Sequence, residues 1–213
     1  MATNPDDYPA RLAIDYPPQL DRFSTFFRAI FAIPILVLFS ILTASSSTET
    51  LTSTGEKVST SGMTVIGGLA LATALMIAIR GHYPRWWFDF AYGLTRFGAR
   101  ICAYLALLTD RYPSTVDEQS VHLEVDYPDV GRDLNRFLPL IKWILVLPHL
   151  IILALLLVLA VLAVIGAWFA ILFTGQYPRG LFDFVTGVGR WSLRVQAYAL
   201  LLVTDRYPPF SLT

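Results

Sequence analysis

The sequence lacks most of the residues from which metal sites and disulfides are built. Among 213 residues there is one cysteine, Cys102, and there are three histidines, His82, His122 and His149. A single cysteine excludes an intrachain disulfide and any metal site made of several thiolates. The histidines fall in different parts of the chain, and a metal site would require them to converge with carboxylates. The sequence therefore predicts no metal site and no cofactor.

An excess of charge of either sign is also missing, because 16 basic residues balance 16 acidic ones. A chain without net charge has no bulk field that favours nucleic acid. Neither a glycine-rich phosphate loop, nor a nucleophile elbow, nor a thiol motif occurs. The first nine residues lack a basic region followed by an apolar one, so we expect no cleaved signal peptide. No residue pattern amounts to a recognisable catalytic site.

Apolar residues, by contrast, are abundant and come in long runs. They make up 55% of the chain, the mean hydropathy is +0.56, and residues 143–173 contain no formally charged side chain. A single helix of that length would extend roughly 46 Å, which exceeds the ~30 Å hydrocarbon core of a bilayer. The composition predicts an integral membrane protein.

The chain contains two copies of one pattern, at residues 8–113 and 121–209, with the motifs in the same order. The first copy alone has a Ser/Thr-rich insert, at about residues 45–61. The matched motifs are Asp15-Tyr16-Pro17 with Asp126-Tyr127-Pro128, Pro34 with Pro148, Tyr83-Pro84-Arg85 with Tyr177-Pro178-Arg179, Phe88-Asp89-Phe90 with Phe182-Asp183-Phe184, Gly93 with Gly187, and Asp110-Arg111-Tyr112-Pro113 with Asp205-Arg206-Tyr207-Pro208.

Each copy is predicted to contain a helical hairpin that crosses the membrane. The four transmembrane helices are expected at about residues 23–44 and 63–79 in the first copy, and at about 137–156 and 160–173 in the second. Pro34 and Pro148 should kink the first helix of each hairpin, because proline removes a backbone donor. The predicted fold class is therefore an all-α integral membrane protein of two tandem helical-hairpin repeats.

A short stretch before each hairpin alternates between apolar and polar residues. Val121, Leu123 and Val125 point one way, and the polar residues between them point the other, which indicates a strand. Residues 11–16 and 122–127 could pair as a small antiparallel ribbon on the cytoplasmic face. Two strands alone are marginally stable, so the ribbon would have to pack against helices.

A long amphipathic segment follows each hairpin, at about residues 85–109 and 179–204. Eight Leu, Ile and Phe residues in the first segment would gain roughly 2.4 to 4.8 kcal/mol on insertion, whereas its Asp89, Arg96 and Arg100 would cost roughly 7.5 to 10 kcal/mol. We therefore expect both segments to lie in the membrane interface. That they cross the membrane is the alternative.

The amphipathic segments carry the candidate site residues. The arginine pairs Arg96/Arg100 and Arg190/Arg194 are candidates for contact with anionic lipid headgroups or a partner; the alternative is that they only set the depth of the helix. Arg85 with Asp89, and Arg179 with Asp183, are predicted to form i,i+4 ion pairs. His149 is predicted to bond a carbonyl freed by the proline kink.

The distribution of basic residues predicts the orientation. Of the 16 basic residues only Lys57 lies in the Ser/Thr-rich insert. Because short cytoplasmic loops are enriched in Lys and Arg, both termini are expected in the cytoplasm, and the insert on the opposite side.

The doubled pattern resembles the bacterial family called domain of unknown function 4389. The residues that carry the resemblance are the Asp-Tyr-Pro entries, Tyr-Pro-Arg followed by Phe-Asp-Phe, the Gly-x-x-Arg step and the Asp-Arg-Tyr-Pro endings. The resemblance implies two tandem copies in a small multi-pass protein of the bacterial inner membrane. It implies no activity and no catalytic residue.

The sequence leaves three classes of function open. The first is a non-catalytic accessory or scaffold subunit that binds lipid or a membrane partner through its interfacial helices, within a complex or a homo-oligomer. The alternative is a small transporter or channel formed by oligomerisation. The third class is a membrane enzyme that acts on lipid, for which only Asp89, Asp183 and the arginines are candidate catalytic residues.

Overall fold

The chain folds into a mostly helical structure that also contains two small β-ribbons. The computed structural model describes residues 8–43, 45–51 and 57–213. In chain order the elements are β1 (Ala10–Ile14), α1 (Arg22–Thr43), β2 (Ser45–Leu51), β3 (Lys57–Thr64), α2 (Val65–Arg80), α3 (Arg85–Leu105), β4 (Val121–Val125), α4 (Val130–Asp133), α5 (Leu138–Leu145), α6 (Leu147–Thr174) and α7 (Arg179–Ala199).

The predicted ribbon between the two halves of the chain is confirmed. Strand β1 pairs antiparallel with β4, and Leu12 lies opposite Leu123. The outer face of the ribbon is polar: the guanidinium group of Arg11 lies 3.3 Å from Glu124 and 3.2 Å from Asp126. The inner face packs on helices, which supplies the support that an isolated two-stranded ribbon lacks.

Helices α3 and α7 begin where the sequence predicts, directly after Tyr-Pro. Pro84 and Pro178 are their N-cap residues and have extended backbone, and the missing N–H of proline is not needed at this position. Both helices end several residues earlier than predicted. Leu107 and Leu202 adopt left-handed backbone, with φ of 63° and 56°, and a left-handed residue ends a helix.

Helices α3 and α7 form the layer directly beneath the ribbon. The Nε of Arg190 on α7 donates to the carbonyl of Leu12 in β1 at 3.0 Å. The hydroxyl of Tyr92 on α3 donates to the carbonyl of Leu123 in β4 at 2.8 Å. Each amphipathic helix is thus fixed to one strand of the ribbon.

The apolar helices α1 and α6 form the next layer. Ile35 of α1 packs with Phe97 and Ile101 of α3. Ile171 of α6 shares a cluster with Phe182 of α7. The polar ribbon, the amphipathic pair and the apolar helices therefore follow one another through the molecule.

Among the described residues, two helices are long and apolar enough to cross a membrane. They are α1 and α6, whose mean hydropathies are 2.3 and 3.3, and only 22% and 11% of these apolar windows are buried inside the protein. A core helix of a soluble protein would be mostly buried. Helix α2 is apolar but shorter.

The predicted hairpin of the second copy is wrong. In place of helices at 137–156 and 160–173, the structure has the short helix α5 followed by one continuous helix, α6. The break falls at Val146, two residues before Pro148, because this proline cannot donate to the preceding turn. The predicted turn at 157–160 contains only Leu, Val and Ala, so nothing there ends a helix. The four transmembrane helices are therefore not formed as two matching hairpins.

The helices of the first copy lie close to their predicted bounds. Pro34 lies inside α1 without ending it, and the kink there stays a prediction. Part of the Ser/Thr-rich insert forms a ribbon in which β2 pairs antiparallel with β3, which the sequence did not predict. Residue 44 and residues 52–56 lie outside the described part of the chain.

Candidate functional site

A buried guanidinium group lies where the end of α3 meets the start of α1. Arg28 is 3% exposed, and it donates to the backbone carbonyls of Tyr104 at 2.9 Å and Thr109 at 2.6 Å. It also forms an ion pair with Asp110 and lies 4.5 Å from the centre of the Tyr104 ring. A helix leaves its last carbonyls unpaired, and Arg28 supplies donors at that end of α3.

A buried ammonium group occupies the corresponding place in the second half of the chain. Lys142 of α5 is fully buried, and its Nζ donates to the carbonyl of Thr204 at 2.7 Å. The same nitrogen lies 2.8 Å from Asp205 Oδ1 and 4.9 Å from the centre of the Tyr198 ring. The two halves therefore use a basic side chain in the same way, with lysine in one and arginine in the other.

The aspartates of the two Asp-Arg-Tyr-Pro endings also bind the chain where it enters the apolar helices. Asp110 accepts a hydrogen bond from the backbone N–H of Asp21 at 2.7 Å and one from the hydroxyl of Ser24 at 3.3 Å. Asp205 accepts one from the backbone N–H of Asn135. Each ending thus ties an amphipathic helix to the start of the apolar helix in its own half.

Two of the four predicted headgroup arginines are buried. Arg100 is 7% exposed and Arg194 is 2% exposed. Arg194 donates to the carbonyls of Ser211 at 2.7 Å and Thr213 at 2.8 Å, and Arg100 donates to that of Ser114. Burial lowers the pKa of both guanidinium groups. Both hold segments of their own chain.

The other two arginines, Arg96 and Arg190, are partly buried. Arg96 donates to the carbonyl of Thr115 at 3.4 Å, and Arg190 bonds the ribbon as described above. These two keep more access to solvent than Arg100 and Arg194 do. Contact of the four arginines with lipid headgroups stays a prediction.

The predicted i,i+4 ion pairs on α3 and α7 are not formed in the described structure. The guanidinium group of Arg85 instead lies 5.2 Å from the ring centre of Tyr127. Arg179 lies in the same way 4.7 Å from the ring centre of Tyr16. Each arginine thus lies over the tyrosine that follows one strand of the ribbon, Tyr127 after β4 and Tyr16 after β1.

The predicted hydrogen bond of His149 to a backbone carbonyl is also wrong. His149 is fully buried, and its Nδ1 accepts a hydrogen bond from Trp191 Nε1 at 3.1 Å. Its ring stacks on Phe210 with centroids 3.9 Å apart. The histidine therefore joins α6 to α7 and the C-terminal segment. Across residues 8–43, 45–51 and 57–213, no three His, Cys, Asp or Glu side chains come together as metal ligands.

A cavity of about 440 Å³ lies between α3 and α7, beneath the ribbon. Leu12 and Leu123 of the ribbon line one side, and Ile66 and Leu69 of α2 line another. None of the lining side chains carries a formal charge. Apolar walls with few polar groups are typical of sites for apolar small molecules, so this cavity is a candidate binding site.

Comparison with known proteins gives one family similarity. The family model named Domain of unknown function (DUF4389) matches residues 139–211. This confirms the resemblance for the second half of the chain, but the match does not extend to residues 8–113, where a first copy was predicted. No curated protein and no solved structure matches the chain.

Sequence reasoning missed Arg28 and Lys142. Arg28 of α1 binds the chain at the end of α3, and Lys142 of α5 binds the chain that follows α7. A signal was present: each is a basic residue inside an apolar run, at the matching position before Pro34 or Pro148. A charge in such a run requires a partner. The partner itself was out of reach, because the Thr-Asp pair that binds each basic side chain lies far away in sequence.

Proposed function

We propose that this protein is a non-catalytic membrane protein that acts as an accessory or scaffold subunit, in a complex with a membrane partner or with further copies of itself. In this proposal α1 and α6 are embedded in the lipid of a bacterial inner membrane. Helices α3 and α7 lie at its cytosolic boundary with the ribbon in water. The observation that carries the proposal is the apolar outer surface of α1 and α6.

That surface is exposed in the folded chain. Among the large apolar side chains, Ile41 is 67% exposed, Ile151 is 72% exposed and Phe173 is 79% exposed. Soluble monomers rarely expose continuous apolar surface of this extent. Helices suit the hydrocarbon region because their backbone groups bond within the helix.

Contacts at the two ends of strand β1 support the proposal that both ends of α7 lie at the same face of the membrane. The hydroxyl of Tyr8, before β1, donates to the carbonyl of Arg206 at 3.2 Å. The hydroxyl of Tyr16, after β1, donates to the carbonyl of Tyr177 at 2.5 Å. Both ends of α7 therefore lie against one strand, which fits a helix that runs along the membrane surface beneath the ribbon.

The segment formed by α5 and α6 begins beside one end of strand β1 and ends beside the other. Asn135, before α5, bonds Asp205, and the carbonyl of Gly175, after α6, accepts from the N–H of Leu20 at 3.0 Å. Helix α6 alone is roughly 42 Å long, whereas Tyr8 and Tyr16 are at most about 26 Å apart along the strand. We infer that this segment enters and leaves the lipid on the ribbon side.

This inference replaces the predicted second hairpin. It is consistent with the prediction that both termini lie in the cytoplasm. Residues at both ends of the chain, Tyr8 and Arg206, lie against each other beside the ribbon. Together with the basic residues outside the insert, this supports cytoplasmic termini.

Two related units remain part of the proposal. The buried pairs Arg28–Asp110 and Lys142–Asp205 occupy matching motif positions, and Leu107 and Leu202 share left-handed backbone. Duplication of one unit explains both coincidences.

The non-catalytic part of the proposal rests on how the buried charges are used. The basic groups of Arg28, Arg100, Lys142 and Arg194 donate to backbone carbonyls of the same chain. Groups held in this way are engaged in structural hydrogen bonds and are not poised for proton transfer.

Two measurements test the proposal. We expect the full chain to float with liposomes after a carbonate wash. Recovery of the protein in the wash would refute membrane embedding. Native mass spectrometry after gentle detergent extraction is expected to find a stoichiometric complex or oligomer. A lone monomer that carries ions or solutes across liposomes would refute the accessory role and favour a transporter.

A further inference from the structure

The walls of the cavity between α3 and α7 are built from small side chains. Gly98 and Ala99 on α3, and Gly189 and Ser192 on α7, line it. Large residues at these positions would fill the space between the helices. The glycines also allow close neighbours, since an added Cβ would lie 3.3 Å from Phe39 at Gly98 and 3.3 Å from Leu12 at Gly189.

The volume of the cavity fits one long hydrocarbon chain. A water-sized group occupies about 30 Å³, so 440 Å³ holds roughly 15 such groups, and a methylene group is of similar size. A cavity with apolar walls offers water few of the two to four polar partners that an ordered molecule needs. A chain of methylene groups therefore suits it better than water does.

One polar side chain in the wall has no partner within the described chain. Thr186 is 2% exposed, lines the cavity, and its Oγ1 makes no hydrogen bond. Thr95, on the facing helix, instead donates to the carbonyl of Ala91 at 2.8 Å, as helical threonines commonly do. A buried hydroxyl without a partner is unfavourable, so the hydroxyl of Thr186 is available to donate to an acceptor on a ligand.

The cavity can be reached from outside the molecule. The side chain of Cys102 lines it and is solvent-accessible, although the surrounding protein raises the pKa of its thiol. The cavity also borders α2 and Phe39 of α1, which belong to the apolar layer.

We propose that this cavity binds one acyl chain of a lipid or fatty acid, and that the hydroxyl of Thr186 donates to its ester or carboxyl oxygen. The source of the chain follows from the proposed membrane location, because the apolar layer would place the cavity beside lipid. Burial of each further methylene strengthens binding about fourfold. A long chain would therefore be held far more tightly than a short one.

The test uses the sole cysteine as a reporter in the purified full-length chain in mild detergent. The rate at which N-ethylmaleimide alkylates Cys102 is measured with added palmitate, with octanoate and with a palmitoyl lysophospholipid. At ten times the dissociation constant, a ligand that covers the thiol slows alkylation about tenfold. Slowing by palmitate alone identifies a free fatty acid, and slowing by the lysophospholipid identifies a membrane lipid.

Ala99→Phe fills the cavity, and Ala154→Phe places the same side chain on the exposed apolar surface of α6. Protection by palmitate is expected to persist in Ala154→Phe and to disappear in Ala99→Phe. If Ala99→Phe does not fold, the comparison of palmitate with octanoate in the wild-type protein still tests the inference. Equal rates with and without each additive, or equal protection by octanoate and palmitate, would overturn the inference. Flotation tests membrane embedding separately, so the two proposals can fail independently.

Discussion

The ammonium group of Lys142 lies 2.8 Å from a carboxylate oxygen of Asp205, and this contact joins the last turn of α5 to the chain that follows α7. The lysine side chain is fully buried, and the aspartate side chain is 20% exposed. Burial removes the water that would stabilise each charge, so each depends on the other. The pair therefore ties α5 to the chain that follows α7.

Replacement of Lys142 by methionine should strongly destabilise the protein. The change removes the partner of Asp205 and the donor to the Thr204 carbonyl, and breaking a buried pair costs about 3–5 kcal/mol. Thermal unfolding in mild detergent measures the effect. Arg11→Met is the control, because Arg11 pairs with Glu124 in water and such pairs contribute less than about 1 kcal/mol. Equal losses in the two variants would contradict this role of Lys142.

Two glycines at matching positions should respond differently to alanine. A Cβ at Gly187 would lie 2.7 Å from the carbonyl oxygen of Leu212, whereas one at Gly93 would have no heavy atom within 4 Å. Gly187→Ala is therefore expected to displace the C-terminal segment and speed its digestion by carboxypeptidase. Gly93→Ala should leave digestion unchanged and stabilise α3 by about 0.5–1 kcal/mol. Similar digestion of both variants would show that the segment does not pack on α7.

The thiol of Cys102 should react slowly near neutral pH. Desolvation by the surrounding protein raises the pKa of this accessible thiol, and the thiolate is the form that alkylating reagents attack. A raised pKa means less thiolate at any given pH below it, so the alkylation rate should still climb at pH values above the ordinary thiol pKa. Glutathione under the same conditions is the control. A rate that levels off at or below the pH where glutathione does would contradict the raised pKa of Cys102.

Local sequence patterns predicted several elements well. The alternation around Leu123 predicted a strand, and Tyr-Pro before Arg85 and Arg179 marked the starts of α3 and α7. These signals are local, because period and proline chemistry act over a few residues. The ribbon could be paired in advance because the repeat supplied a second strand.

The errors came from contacts that local patterns do not record. The spacing of Arg85 and Asp89 suits an ion pair, but the ring of Tyr127 competes for the guanidinium group and lies far along the chain. The hairpin of the second copy was inferred by analogy with the first. Residues 157–160 favour a continuous helix, and without an insert nothing turns the chain there.

The acyl-chain cavity could not have been predicted from the sequence. Its walls come from both halves of the chain, and small residues such as Gly98 and Gly189 are equally consistent with close helix packing. Only the distance between α3 and α7 in the fold distinguishes a packed interface from a cavity.

The side of the membrane on which α5 and α6 begin and end is the most decisive measurement. In a Cys102→Ser background, single cysteines replace Asp126, before α5, and Gln176, after α6, both of which are exposed. A membrane-impermeant maleimide is applied to intact cells or spheroplasts and to inverted vesicles. Both positions are expected to react only in inverted vesicles, together with a third cysteine at Val116, which is 90% exposed. Labelling of Asp126→Cys and Gln176→Cys from opposite sides would mean that α6 crosses the bilayer once, and would contradict the proposed arrangement.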